Sequence, residues 1–241
     1  MVKGLKLEFI KSPHQHQIPK QYNMKKEHEQ LLDIEIQKLL KNHTIKKTVN
    51  MQGQFISPIF LKLEESKNRP IINFKQLNNF IPYRKFKMET FTDLKELIQQ
   101  GDLMIKIDLK EAYTRVPLNQ EQGNNMKFTW KGQIYQCLTM FFGMGPAPRC
   151  FTKLMKVPMS LLRRLQIRMM IYIDDIIIMA QQEKHILMAR DTTLYLLESL
   201  GLTVNYAKSV LKPEQKLEYL GIEINTQMMN LKLPERKVKQ L

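Results

Sequence analysis

Cysteine is nearly missing from this chain of 241 residues, which has only Cys137 and Cys150. They form no C-x-x-C pair and, with the five histidines, no zinc pattern. A disulfide framework, a zinc ribbon and a thioredoxin-like motif are therefore excluded. His14 and His16 read as solvated polar residues. Membrane-length apolar runs are missing as well. The near-continuous run from Met169 to Ala180 is too short, and too interrupted by aspartate, to cross a bilayer. The opening residues Met1-Val2-Lys3-Gly4-Leu5-Lys6 lack the apolar segment of a secretory leader. The expectation is an intracellular protein, cytoplasmic or nuclear, with no membrane association. Acidic residues are scarce: 23 Asp and Glu stand against 38 Lys and Arg, a formal net charge of +15. That balance predicts salt-sensitive attraction to a polyanion. A lysine-rich solvated surface would explain it more plainly. Repeats and low-complexity tracts are absent, and the sixteen methionines read as adaptable core filler.

Against that background Ile171-Tyr172-Ile173-Asp174-Asp175 stands out. Two adjacent carboxylates inside an apolar run are costly unless something pairs with them. They also repel each other, which pushes one toward its neutral form when no cation is near. A polar turn between two buried strands is the plain alternative, since Asp is a common turn residue. A third carboxylate favours a metal site. Asp108 ends Leu103-Met104-Ile105-Lys106-Ile107-Asp108-Leu109, a β-branched run that reads as a buried strand. Two such strands side by side would bring Asp108 and Asp174 to one sheet edge. Hard oxygen ligands suit Mg²⁺, which keeps waters and is completed by substrate phosphates. In two-metal sites the ions lie roughly 3.5–4 Å apart and clamp both oxygens of an in-line phosphoryl displacement. The pattern points to phosphoryl transfer with two Mg²⁺ ions, or Mn²⁺ in their place.

The remaining chain divides by period and punctuation. Residues 1–23, basic and carrying Pro13 and Pro19, read as an extended arm. Glu27–Lys41 has Leu31, Ile34, Leu39 and Leu40 at roughly helical spacing. Phe55–Leu63 reads as a strand, Glu64–Asn68 as its turn, and Arg69–Leu77 as the returning strand. That hairpin would project Lys62, Arg69 and Lys75 toward polyphosphate oxygens, although lysine also protects plain edge hairpins. Phe91–Gln100 reads as a helix, and Lys127–Gln136 as a hairpin turned at Lys131-Gly132. A helix is expected from Arg149 to about Leu165, and another over Gln182–Leu200 stopped by Gly201. Leu202–Asn205 reads as a strand, and Leu217–Ile224 with Asn230–Leu233 as a final hairpin. The fold class is α+β. From Leu103 on, the order matches a ferredoxin-like antiparallel sheet backed by helices.

Taken together, these motifs resemble the reverse transcriptase domain of retroelements, in the retrotransposon and retrovirus branch, from about Pro19 to the C-terminus. Ala147-Pro148-Arg149-Cys150-Phe151-Thr152-Lys153 looks most like the tyrosine-recombinase (DIRS-type) elements. The resemblance implies a right-hand fold with fingers at 24–92 and 120–157 and palm at 93–119 and 158–241. It implies that Asp108, Asp174 and Asp175 are the metal-binding acids, with Leu109 offering its carbonyl. Lys62 and Arg69 would hold the dNTP triphosphate, and Tyr113 would be the aromatic gate against a ribose 2′-OH. Phe142 and Gly143, with Ala147, Pro148 and Phe151, would line the nucleotide and template side. Tyr172 would lie near the primer end, Leu220-Gly221 would be the primer grip, and Lys208 would protonate the leaving pyrophosphate. Read alone, Tyr113 suits a core aromatic, Lys208 a surface lysine and Gly221 a bulge glycine.

The resemblance also implies partners: an RNA or DNA template with its primer, dNTPs, and a larger polyprotein with RNase H and recombinase or integrase modules. The sequence departs from the family pattern at three places. Phe141 stands where proline is usual, Asn73 where aspartate is frequent, and Lys75 where arginine is frequent. The chain stops at Leu241 with the thumb largely absent, so low processivity is expected. Two other functions share these motifs: a catalytically silent nucleic-acid-binding subunit and an RNA-dependent RNA polymerase.

Overall fold

The computed structural model describes residues 3–63 and 68–238. In chain order the elements begin with α1 (Lys26–Lys41), β1 (Ile45–Thr48), β2 (Ile56–Ser57), β3 (Ile59–Lys62), β4 (Arg69–Ile72) and α2 (Lys75–Asn78). Next come α3 (Phe91–Leu97), β5 (Leu103–Lys110), β6 (Lys127–Trp130), β7 (Gln133–Cys137) and α4 (Ala147–Arg164). The Asp-Asp hairpin is β8 (Arg168–Tyr172) and β9 (Asp175–Ala180), followed by α5 (Glu183–Ser199) and β10 (Thr203–Val204). The chain closes with β11 (Val210–Glu214), β12 (Lys216–Tyr219), β13 (Ile222–Asn225), β14 (Asn230–Lys232) and α6 (Glu235–Val238). Two compact units result, residues 1–85 with 113–149, and 86–112 with 150–241. The divisions expected after 92, 119 and 157 thus compare with changes of unit after 85, 112 and 149.

The first unit is built on a four-stranded sheet of order β1-β7-β6-β2, in which β2 runs parallel to β6. A separate ribbon pairs β3 with β4. The expected single strand over 55–63 is divided at Pro58, which has no N–H to continue a ladder. Its two halves join different sheets. The return strand stops at Ile72, and Lys75 lies in α2, not in the hairpin. Residues 64–67 of the expected turn lie outside the described residues. α1 forms, with Glu27 and Glu29 in its first turn and Lys38 and Lys41 in its last, which suits the helix dipole. Its buried residues are Leu32 and Ile36, while Ile34 faces outward at 51% exposure. Residues 3–23 are not a free arm. Leu5 bridges to Leu118, Leu7 is buried, and the Gln15 side chain both donates to Ile56 O and accepts its N–H.

The second unit centres on β5, flanked by β9 on one side and by β10 and β11 on the other, with β8 outside β9. Met104, Ile105, Ile107 and Leu109 of β5 are buried, as are Ile176, Ile177, Ile178 and Met179 of β9. Such continuous apolar runs suit strands covered on both faces. α4 presents Phe151, Met155, Met159 and Leu162 to the interior at helical spacing, and it continues through Pro158. The expected final hairpin is instead a three-stranded meander, β12-β13-β14. Leu217–Ile224 folds back at Leu220-Gly221, both at positive φ. Strands β1 and β11 carried no clear sequence signal. At the far end of the sheet Asp102 is fully buried. Arg168 pairs with it through both terminal nitrogens, and Gln99 N–H and the Gln181 amide also donate to it. A buried carboxylate requires that degree of compensation.

Candidate active site

β5 and β9 run antiparallel in a register that sets Asp108 directly opposite Asp175. Asp174, expected at the same sheet edge as Asp108, occupies the two-residue turn between Tyr172 and Asp175, and its carbonyl accepts the Leu109 N–H at 2.9 Å. Residues directly opposite in a ladder project to the same face, so Asp108 and Asp175 share one. The turn places Ile173 at φ +55°, a region that a β-branched residue avoids. Strained positions persist where the surroundings over-determine them, and they cluster at functional sites.

Several contacts hold this corner. Asn205 Nδ2 donates to Asp108 Oδ1 at 2.7 Å, and Asn205 N donates to Asp108 O at 2.8 Å. The Asp108 N–H donates to Ser209 Oγ at 3.0 Å, and Ser209 donates in turn to Asn205 O. The Tyr219 hydroxyl, fully buried, donates to Asp175 O at 3.0 Å. Burial, and then the charge of Asp175, push the Tyr219 phenol far above its ordinary range. Burial is also the main cause that lifts the Asp175 carboxyl, to about 6. The neighbouring charges of Asp174 and Asp108 add to the rise, and Lys106 and Lys208 oppose it. Lys208 is exposed, in the turn between β10 and β11, and close enough for its charge to be felt at Asp175.

These acids fit a divalent cation by their chemistry: they are partly buried and mutually repelling. Among the described residues no three His, Cys, Asp or Glu side chains enclose a metal-sized position. Mg²⁺ does not require such a cage, since one or two carboxylates with waters and substrate phosphates suffice.

Within the first unit, Lys62 stands directly across from Arg69 on the β3–β4 ribbon. The Arg69 guanidinium lies over the Phe142 ring, 5.9 Å from its centroid. Phe142 in turn packs on buried Tyr113, with 4.7 Å between centroids. The loop after Phe142 is pinned by Asn78, which donates to Gly143 O at 2.8 Å and accepts the Gly145 N–H at 2.9 Å. Gly143 has φ +92°, and an added Cβ would meet Ile72 O at 3.2 Å, so glycine is required there. This loop borders an open groove of about 740 Å³, lined also by Tyr22, Phe60, Asn73 and Phe74. Leu220-Gly221 forms the turn of β12–β13, so Gly221 is a turn glycine and not a bulge. Asn78, Asn205, Ser209 and Tyr219 were not identified from sequence. Each lies beside a recognised motif, but its partner lies elsewhere in the chain.

The second unit thus carries acids at one strand end of an antiparallel sheet, and the first carries a cationic ribbon. Residues 45–224 match the family model described as reverse transcriptase (RNA-dependent DNA polymerase), and the chain belongs to that family. Protein P of duck hepatitis B virus is 23% identical over 193 residues, covering 76% of this chain and 23% of that protein. The transposon Tf2-3 polyprotein of Schizosaccharomyces pombe is 23% identical over 226 residues, covering 93% of this chain and 16% of its own length. The Pol polyprotein from transposon 412 of Drosophila melanogaster is 25% identical over 174 residues, covering 68% of this chain and 14% of that polyprotein. The chain therefore spans under a quarter of the curated relatives it matches. Among solved structures, a foamy viral protease-reverse transcriptase in complex with dsDNA superposes with a TM-score of 0.84. It is 18% identical, over 98% of this chain and 48% of that one. The same kind of protein in complex with an RNA/DNA hybrid gives a TM-score of 0.80, with 31% of that chain covered. The fingers-and-palm fold is shared. No helix among the described residues is long and apolar enough to cross a membrane.

Proposed function

We propose that this chain is the fingers-and-palm part of an RNA-directed DNA polymerase that adds dNTPs to a primer 3′-OH on an RNA or DNA template. The observation that carries this reading is the register of Asp108 opposite Asp175, with Asp174 in the adjoining turn. Asp108, Asp174 and Asp175 are the residues that would hold Mg²⁺, with Leu109 beside them. When bound, the metal supplies charge that acidifies the primer hydroxyl and neutralises the departing pyrophosphate.

The protein's own groups do the rest. Lys62 and Arg69, at facing ladder positions, offer two cationic donors that would hold a triphosphate through charge-assisted hydrogen bonds. Tyr113, packed on Phe142, takes up the space of a 2′-OH and so selects deoxyribose. Gly143, required by its positive φ and by Ile72 O, and Asn78 fix the loop that would line the nucleotide and template side. Lys208 carries the proton for pyrophosphate. Tyr172 and the Leu220-Gly221 turn seat the primer end. RNase H, recombinase or integrase modules would belong to the longer polyprotein of which such chains are parts.

Primer extension on a poly(rA)-type template tests this. Wild type should incorporate dNTPs in a Mg²⁺-dependent manner that EDTA abolishes. Asp108→Asn and Asp174→Asn should lose incorporation while still binding template-primer, and Tyr113→Ala should admit rNTPs. Binding without incorporation by wild type would favour a silent subunit, and preference for rNTPs an RNA polymerase. Near-normal incorporation by either aspartate variant would refute the assignment of these acids.

A further inference from the structure

β8 is the outer strand of its sheet, and an outer strand leaves backbone groups on its free side. Two side chains occupy that side near the catalytic turn. The Glu89 carboxylate accepts the Ile171 N–H at 2.9 Å. Arg163, on α4, donates through Nη2 to Met169 O at 3.2 Å. The same guanidinium is ion-paired to Glu89. A donor on Met169 O and an acceptor on Ile171 N–H, two residues apart, reproduce what a neighbouring antiparallel strand would offer. Charge-assisted bonds of this kind are stronger than neutral ones. Glu89 is itself anchored, because the next residue, Thr90, is the N-cap of α3 and closes a capping box with Asp93.

Ile171 lies two residues before the strained Ile173. On the sheet side the turn is held through Asp174 O and Asp175 O by Leu109 and Tyr219. On the opposite side the strand leading into it is held by Glu89 and Arg163. We propose that Glu89, fixed by Arg163, is a positioning residue that sets the Asp174-Asp175 turn for divalent-cation binding. This rests on the polymerase reading of that turn. A mere stability role would lower the melting temperature and leave the affinity of the folded protein for metal unchanged.

The experiment compares wild type, Glu89→Ala, Glu89→Gln, Arg163→Lys and the exposed control Glu96→Gln. Binding of Mn²⁺ alone is titrated by electron paramagnetic resonance without nucleotide, and the Mg²⁺ requirement of dNTP incorporation is measured separately. Loss of an outer partner of a metal site typically weakens affinity by about 10- to 100-fold. Glu89→Ala should therefore need about tenfold more Mn²⁺ and Mg²⁺, with KM for dNTP within about twofold of wild type. Glu89→Gln keeps an acceptor for Ile171 N–H and should recover most of the affinity, and Glu96→Gln should match wild type. Amide exchange at Ile171 should quicken in Glu89→Ala. Unchanged Mn²⁺ affinity in folded Glu89→Ala overturns the proposal and leaves the polymerase reading standing. If that variant does not fold, unchanged affinity in both Glu89→Gln and Arg163→Lys overturns it equally. Weakened Mn²⁺ binding in a chain whose wild type incorporates no dNTP sinks the polymerase reading alone.

Discussion

Asp175 has its proton affinity raised, to about 6, by burial and then by Asp174, whereas in an unfolded chain an aspartate titrates near 3.9. Between about pH 4 and pH 6 the folded protein therefore holds more protons at this position than the unfolded chain. Stability consequently falls as pH rises through that window and stays at the lower level above it. Asp175→Asn removes the effect. In EDTA at pH 7 it should stabilise the fold by on the order of 1–2 kcal/mol, a figure already reduced for solvent screening at a partly exposed group. Urea unfolding at pH 4.5 and pH 7 checks this, and a variant no more stable than wild type at pH 7 would contradict it. The candidate-site residues drew notice in the sequence because their types are unusual for their surroundings. Two acids in an apolar run, or an arginine and a lysine bracketing a short ribbon, are visible in one dimension. Asn205, Tyr219 and Glu89 were not, because each is an ordinary polar residue whose role depends on a partner 44 to 97 positions away.

At the level of elements, strands rich in β-branched residues read correctly, β5 and the β8–β9 hairpin foremost, because burial on both faces leaves few other residues possible. Errors arose where one residue redirects the backbone. Pro58 divides a strand whose flanks look continuous. The helix phase of α1 was misread because Leu31, Leu32, Ile34 and Ile36 offer more than one apolar stripe, and only packing selects among them. Lys131-Gly132 links β6 and β7 with both residues at positive φ, as the sequence suggested. A Cβ on Gly132 would meet nothing within 4 Å, so Gly132→Ala isolates the backbone term, roughly 1–2 kcal/mol. Urea unfolding followed by the fluorescence of Trp130, the only tryptophan, should show that loss, and an unaltered midpoint would disprove the turn.

For the molecule as a whole, an excess of fifteen positive charges governs association more than it governs fold. A footprint of about six phosphates gives a log–log salt slope near −5 and an affinity loss on the order of 10³ between 50 and 200 mM salt. Fluorescence anisotropy on a template-primer duplex measures it, and a flat dependence would mean that basic residues do not carry the contact. The connectivity of the second unit has a further outcome. β5 ends at Lys110, and all three strands that flank it follow later, the first at Asp175. At roughly 5–20 residues per second on a ribosome, its oily ribbon waits some seconds with nothing to zip against. Newborn copies of this chain are thus exposed to clumping during that interval, and holdase chaperones that bind extended greasy segments should find them there.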